Sequence, residues 1–431
     1  MNKDRLLEIS DFKGPYRAAA AISFDYETSA VYGDIASLRS KMRGAMLNLA
    51  GKLLNHGMDL SFCYGLGYSM RRGAYHVLDV LRKYGVHATW FSTGHVLLKG
   101  NKEKDAFRVN QRLPYATELA GFTKPTTWRR FRPTFHYEPY KDYIEKPYWY
   151  CGDQAQALRE YGEDIQCHTF SHPYVAMEAP DNVRLDIEDW QTVAAKNDFA
   201  NAIILAFPYC GDAYRYYFDL GMKAMIGKRI TGQKHEVINL PSDIVDVYKE
   251  YGIELFTRCG SKVGTITSFA NYNDAGLHFM PDIAWSGCDQ SVEALDRKFK
   301  EVTKNRAAVN VWMHPCNVFS AGEIANFEAL VEYLLDRQRN GDVWFTTIAE
   351  MWDYYKKVMR CRLRVVSRGR KKYTVFLHNG NHALVEDLFL LSTSGRISVC
   401  GGDGNSLPTK DGIIVKRLPS GETYKLTVMV S

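Results

Sequence analysis

Tyr16-Arg17-Ala18-Ala19-Ala20-Ala21-Ile22-Ser23-Phe24-Asp25-Tyr26-Glu27 is the stretch on which the fold turns. Its apolar run has the length of a strand and is apolar at successive positions, as in a strand covered on both faces. It ends on two carboxylates with one residue between them. A buried strand that delivers carboxylates from its C-terminal end is the arrangement of parallel α/β enzymes.

Downstream, Ala74, Val77, Leu78, Val80 and Leu81 recur at helical spacing, Gly85 closes that helix, and VHATWF restarts a strand. The same grammar returns in ALREYG then EDIQCHTF, ANAIILAFPY then YYFDLGMKAMIG, AAVNVWMH, and FEALVEYLLDRQRNG then VWFTTIAEMWDYY. Strands alternating with helices imply a parallel sheet, open or closed into a barrel. After about Lys357 the chain changes to short β-rich runs, YTVFLHN, LVEDLFLL, RISVCGG, GIIVKRL and TYKLTVMV, separated by Gly, Asn and Ser turns. The division expected is therefore 1–357 for an α/β catalytic domain and 358–431 for a small all-β, sandwich-like accessory domain. Between Lys99 and Pro147 a basic, aromatic segment interrupts the pattern, and insertions of that length in compact folds usually serve function.

The 431 residues are 46% hydrophobic and 13% aromatic, ample for a buried core, and the net charge of +6 is spread without a like-charge run. Nucleic acid is therefore not an expected partner. No run of about 18 apolar residues exists to span a bilayer, and MNKDRLLEISDFKG lacks the apolar core of a secretory signal, so a cytoplasmic protein is expected. Nine scattered cysteines without a C-x-x-C pair read as reduced thiols. Cys167 and Cys316, each beside a histidine, read as small buried residues and not as nucleophiles.

The densest chemical signal is His168-Thr169-Phe170-Ser171-His172. In a helical turn this i, i+4 spacing would stack two imidazoles on one face, within reach of one metal ion. A second such pair, His378 and His382, lies in a Gly/Asn turn between β runs and reads as structural. What distinguishes the first pair is its company: Asp25 and Glu27 at one strand end and His314 at another. Metal-assisted hydrolysis needs such a set, namely ligands with an open position, a base and an acid.

The segments AISFDYE, GVHATWFSTGH, GEDIQCHTFSHP, AFPY, PDIAW and VWMHP follow the order of the polysaccharide-deacetylase (NodB-homology) motifs. The resemblance runs over about residues 17–355, and it looks most like the peptidoglycan-deacetylase and allantoinase-like branch. It implies a distorted (β/α) barrel and a divalent metal, zinc first, with cobalt, nickel or manganese as alternatives. It implies Glu27, His168 and His172 as metal ligands, Asp25 as general base, and His314 as general acid. It further implies the Tyr209 backbone N–H as oxyanion donor, Asp282 as the residue that orients the acid, and Trp285 as a wall of the acetyl pocket. The function implied is removal of an acetyl group from an N-acetylated sugar or glycan, in a chain that forms a monomer or a homo-oligomer. The alternatives are another amide, a cyclic ureide or an O-acetyl ester on the same scaffold, or a catalytically weak glycan-binding module. Position 206, where that family often carries an arginine that holds the base, is alanine. In the insertion, Trp128, Arg129, Arg130 and Arg132 are the expected substrate contacts, suited to an anionic sugar.

Overall fold

The computed structural model describes residues 6–27, 66–104, 140–147, 149–173, 175–215, 237–262, 266–272, 276–285, 291–369, 371–393, 396–400 and 404–430. Its elements begin with β1 (Leu7–Lys13), β2 (Ala18–Tyr26), α1 (Leu66–Tyr84), β3 (Thr89–Ser92), α2 (Gly94–Leu97), α3 (Gly152–Tyr161), β4 (Asp164–Cys167), α4 (Pro180–Lys196) and β5 (Ile204–Ala206). Next come β6 (Ala213–Arg215), β7 (Val237–Asn239), α5 (Ser242–Glu250), β8 (Leu255–Thr257), β9 (Ala270–Asn271), β10 (His278–Phe279), β11 (Asp282–Ala284), α6 (Val292–Asn305), β12 (Ala308–Met313), α7 (Ala321–Arg339), β13 (Val343–Phe345) and α8 (Ile348–Met359). The last seven are β14 (Cys361–Ser367), β15 (Lys372–Asn379), β16 (Val385–Ser392), β17 (Ile397–Val399), β18 (Ser406–Pro408), β19 (Gly412–Leu418) and β20 (Thr423–Val430).

The chain divides into two compact units, one of Ala21–Arg297 with Val309–Val331, the other of Met1–Ala20, Lys298–Ala308 and Glu332–Ser431. The first is the expected α/β fold. Its sheet runs β11-β12-β2-β3-β4-β5-β8-β10-β9. The pairs β11 with β12, β2 with β3, β3 with β4, β4 with β5, and β5 with β8 are parallel. Among the described residues the order does not close on itself, which is the distortion of the barrel. All nine residues of β2 are buried, as a strand covered on both faces requires. Along β2, Asp25 and Glu27 lie two apart and so share one face, while Tyr26 points the other way, onto Gln154 of α3 and the Trp90 ring. Glu163, ahead of β4, accepts hydrogen bonds from the Ala88 N–H at 2.8 Å and from Trp90 Nε1 at 2.7 Å. The insertion leaves from the chain after α2, and its ends are stapled: Asn101 N–H donates to Lys141 O at 2.7 Å and Tyr143 N–H to Lys99 O at 2.8 Å. Trp128, Arg129, Arg130 and Arg132 lie outside the described residues.

The second unit holds two four-stranded antiparallel sheets, β1-β16-β19-β18 and β14-β15-β20-β17. Their inward side chains form a sandwich core in which Val375, Leu377, Val428, Leu388, Leu390, Ile413 and Val415 are fully buried. The N-terminal strand β1 belongs to this β region, pairing Leu7 with Ser392 and Ile9 with Leu390. Here too β13 pairs in parallel with Ala18–Ala20 at the start of β2. Among the described residues no helix is long and apolar enough to cross a membrane.

Candidate active site

Four strand ends of the α/β unit converge. From β2 come Asp25 and Glu27, from the residue after β4 His168, from the residue after β8 Arg258, and from the residue after β12 His314. All are nearly excluded from solvent, with His314 at 8% the most exposed. The Glu27 Oε1 atom lies 3.1 Å from His168 Nε2, 2.8 Å from His172 Nε2 and 3.7 Å from His314 Nε2.

The turn that carries both ligand histidines is not the helical one that the spacing suggested. Thr169 and His172 have φ of 64° and 59°, in the left-handed region that non-glycine residues seldom occupy. What holds the chain there is a carboxylate from a distant helix. Asp186 of α4 accepts from the backbone N–H of Phe170 at 2.6 Å and of Ser171 at 2.9 Å, and from Ser171 Oγ at 2.6 Å. Thr169 Oγ1 accepts from His172 N–H at 3.0 Å. Phe170 then lies against Gly94, where a Cβ would sit 2.0 Å from the ring. The two imidazoles end with centroids 4.9 Å apart.

Glu27, His168 and His172 offer ligand atoms all within 4.8 Å of one another. Ligands around a tetrahedral ion with bonds of ~2.0 Å stand about 3.3 Å apart, close to the separations found. His168 Nδ1 contacts Ala206 O at 2.8 Å, which fixes Nδ1 as a protonated nitrogen and turns Nε2 toward Glu27. Burial lowers the His168 imidazole, but Asp25 and Glu27 outweigh it and hold it above its usual value, so that without an ion a proton on Nε2 bridges to Glu27; Glu27 Oε2 is buried without a hydrogen-bond partner. Burial pushes the Glu27 carboxyl up, but the His172, His168 and His314 imidazoles outweigh it and hold the group well below its ordinary range. Burial holds His172 below the usual imidazole value. A metal takes the carboxylate ionised and both imidazoles neutral, so its binding would displace the proton that His168 shares with Glu27. The donor set of two imidazole nitrogens and one carboxylate oxygen fits a divalent metal with an open coordination position.

The base position is built around a residue absent from the sequence-based expectations. Arg258, 1% exposed, donates from Nε to Asp25 Oδ2 at 2.9 Å and from Nη2 to Asp25 Oδ1 at 2.7 Å, a two-pronged grip on the carboxylate. Nη2 also reaches Ser23 Oγ at 2.8 Å, and Nη1 reaches Asp282 Oδ1 at 2.6 Å. The guanidinium lies 4.4 Å from the Trp312 ring centre. Arg258 has φ of 59°, and its N–H donates to Asp282 Oδ2 at 2.6 Å. Asp282 also accepts from Thr257 Oγ1 and Asn310 Nδ2, so its carboxylate anchors the arginine. Burial raises both carboxyls, yet Arg258 with His168 and His314 brings Asp25 below its ordinary value, whereas Asp282 stays raised. Asp25 is the acid kept ionised.

Residues 60–217 fit the family model described as polysaccharide deacetylase, a span that holds His168, His172 and Tyr209. Asp25, Glu27, Arg258, Asp282 and His314 lie outside the matched span and join His168 and His172 through the fold. No curated protein matches the chain. Among solved structures, "Agd3 a novel carbohydrate deacetylase" is similar at 12% identity over 99% of this chain and 67% of that one, with a TM-score of 0.49. The "Puue Allantoinase" is similar at 12% identity over 80% of this chain and 92% of that one, with a TM-score of 0.44. A "CE4 family pseudoenzyme" from Bacillus anthracis is similar at 11% identity over 65% and 60%, with a TM-score of 0.33.

The remaining expected site residues take these places. Tyr209 is in the single turn Pro208–Cys210 after β5. Trp285 is buried and donates its backbone N–H to Trp312 O at 2.8 Å. His314 donates its N–H to Asn317 Oδ1 at 2.9 Å, and its ring stands 5.5 Å from that of Trp312. The histidines of the second pair belong to the β unit, where His378 Nδ1 is 3.1 Å from Thr423 Oγ1.

Proposed function

We propose that the chain is a metal-dependent deacetylase that removes acetyl from an N-acetylated sugar or glycan. The observation that carries this reading is the convergence of Glu27, His168 and His172 on one point beside an ionised, arginine-held Asp25. A divalent ion held by those three residues, zinc first among the candidates, would supply Lewis-acid polarisation of the acyl carbonyl.

The chain's own groups do the rest. Asp25, fixed by two hydrogen bonds from Arg258, removes a proton from the attacking water. The Tyr209 N–H donates to the oxygen that gains charge as the carbonyl becomes tetrahedral, a contribution worth about 3 kcal/mol in comparable sites. His314, the most exposed of the group, protonates the departing amine. Low solvent access strengthens each of these interactions.

Purified protein incubated with a panel of acetylated glycans, with acetate measured before and after chelation, tests the reading. Acetate release that chelator abolishes and metal restores is expected. No release from any member of the panel by metal-loaded protein would sink the proposal.

A further inference from the structure

The outward face of the sheet β14-β15-β20-β17 carries an unusual charge pattern. Cross-strand partners share a face, and the register pairs Arg362 with His378, Arg364 with Phe376, Phe376 with Lys425, and Lys372 with Met429. The alternate positions, among them Val375, Leu377, Leu426 and Val428, are buried in the sandwich. Arg362, Arg364, Lys372 and Lys425 are therefore directed outward, and all four are exposed. Arg368 joins them by donating from Nε to Thr374 Oγ1 at 3.2 Å. No Asp or Glu occupies a paired position on this face, and none of the five cations forms an ion pair with a described residue.

At the centre stands Phe376, half-buried, with Lys425 Nζ 6.0 Å from its ring centre. The row Arg364, Phe376, Lys425 crosses three strands, so a flat apolar surface sits between two cations about 10 Å apart. The next row, with Arg362, follows about 7 Å along the strands. A sugar ring stacks on such an aromatic face, and a carboxylate on the same or the next ring finds an arginine fork on either side. A bilayer would want more apolar surface than one phenylalanine, one valine and one exposed methionine.

We propose that this face docks a carboxylate-bearing, uronic-acid type polysaccharide. The choice of a polysaccharide over other polyanions rests on the proposed glycan deacetylation, while the call for a polyanion rests on the charge pattern alone.

Binding of the full chain to polygalacturonate, to neutral dextran, to single-stranded DNA and to phosphatidylserine vesicles would be measured at about 0.1 M salt, where surface charges are partly screened. Polygalacturonate should bind and dextran should not. Arg362→Gln with Arg364→Gln and Lys425→Gln should weaken polygalacturonate binding at least tenfold, and Phe376→Ala several-fold. Acetate release from a small soluble acetylated oligosaccharide should stay unchanged in both variants. His168→Ala should bind polygalacturonate like the parent even without deacetylase activity. Undiminished polygalacturonate binding by the folded triple variant overturns the proposal, and so does DNA or vesicle binding that is as tight and as sensitive to the same substitutions. If the parent releases no acetate but binds polygalacturonate through these residues, the deacetylase reading falls and the docking face stands.

Discussion

Replacing Arg258 with methionine tests the construction of the base directly. The parent guanidinium holds two carboxylates, with bonds of 2.9 and 2.7 Å to Asp25 and 2.6 Å to Asp282, at 1% exposure. Methionine keeps much of the volume and removes the charge, so two buried acids lose their cation. Breaking a buried pair in this way costs about 3–5 kcal/mol. The cheapest relief is for Asp25 to take a proton, which abolishes it as a base, and a positioned base is worth roughly 10²–10⁴ in rate. Turnover should therefore fall about 10³-fold. Arg258→Lys restores a charge without the fork, and a fall of about 10- to 100-fold is expected. Because Arg258 is buried, the Michaelis constant should move little, and metal content should not change, since no Arg258 hydrogen bond goes to Glu27, His168 or His172. The assays are acetate release with kcat and KM resolved, metal analysis by mass spectrometry, and thermal melting. A folded Arg258→Met protein with turnover within about twofold of the parent would refute the idea that this arginine makes Asp25 a base.

His168→Ala should abolish stoichiometric metal uptake, whereas His378→Ala in the β sandwich should leave both metal content and rate unchanged; metal retained by the first variant would remove His168 from the ligand set. His314→Asn should lower turnover about 100-fold or more with metal content intact, and an unchanged rate would leave the acid role to another group. Stability should fall as pH rises, because burial pushes the Glu163 carboxyl up to about 8. Its folded value exceeds the unfolded one near 4.5, so the native state binds more protons between those limits, and its contribution is complete below about pH 4.5 and lost by about pH 8. Over that window the loss is of the order of 3–5 kcal/mol. Glu163→Gln keeps an acceptor for Ala88 and Trp90, so the variant should melt higher than the parent at pH 8 and no lower at pH 5; parallel melting curves against pH would contradict this account.

The strand ends were legible because their chemistry is local. A fully apolar run closing on Asp25-Tyr26-Glu27 places both carboxylates on one face by its period of two, and VNVWMH delivers His314 by the same logic. The His168 to His172 spacing pointed to the right pair for the wrong backbone reason. Spacing of four fits a helical turn, but Asp186, which pins the actual kinked turn, sits in a helix beyond it, and only contact reveals the link. Arg258 escaped notice because β8 is three residues long, too short for a periodic signal. A usable sign was present: Arg258 directly follows the apolar Leu255-Phe256-Thr257, the position at which the other strands release His168 and His314. The partner of β1 was illegible for a different reason, since pairing between distant strands leaves no trace in either strand's own pattern.

That pairing has a consequence for how the chain is made. Leu7 leaves the ribosome well before its ladder partner Ser392, which is added nearly four hundred residues later, roughly 20 seconds to over a minute at ordinary synthesis rates. Until then β1 waits as an open edge, able to bond with any passing strand. The β sandwich therefore cannot be finished co-translationally in order from the N-terminus. Its completion is a late, long-range step, slow by topology and exposed to mispairing between nascent chains on one message.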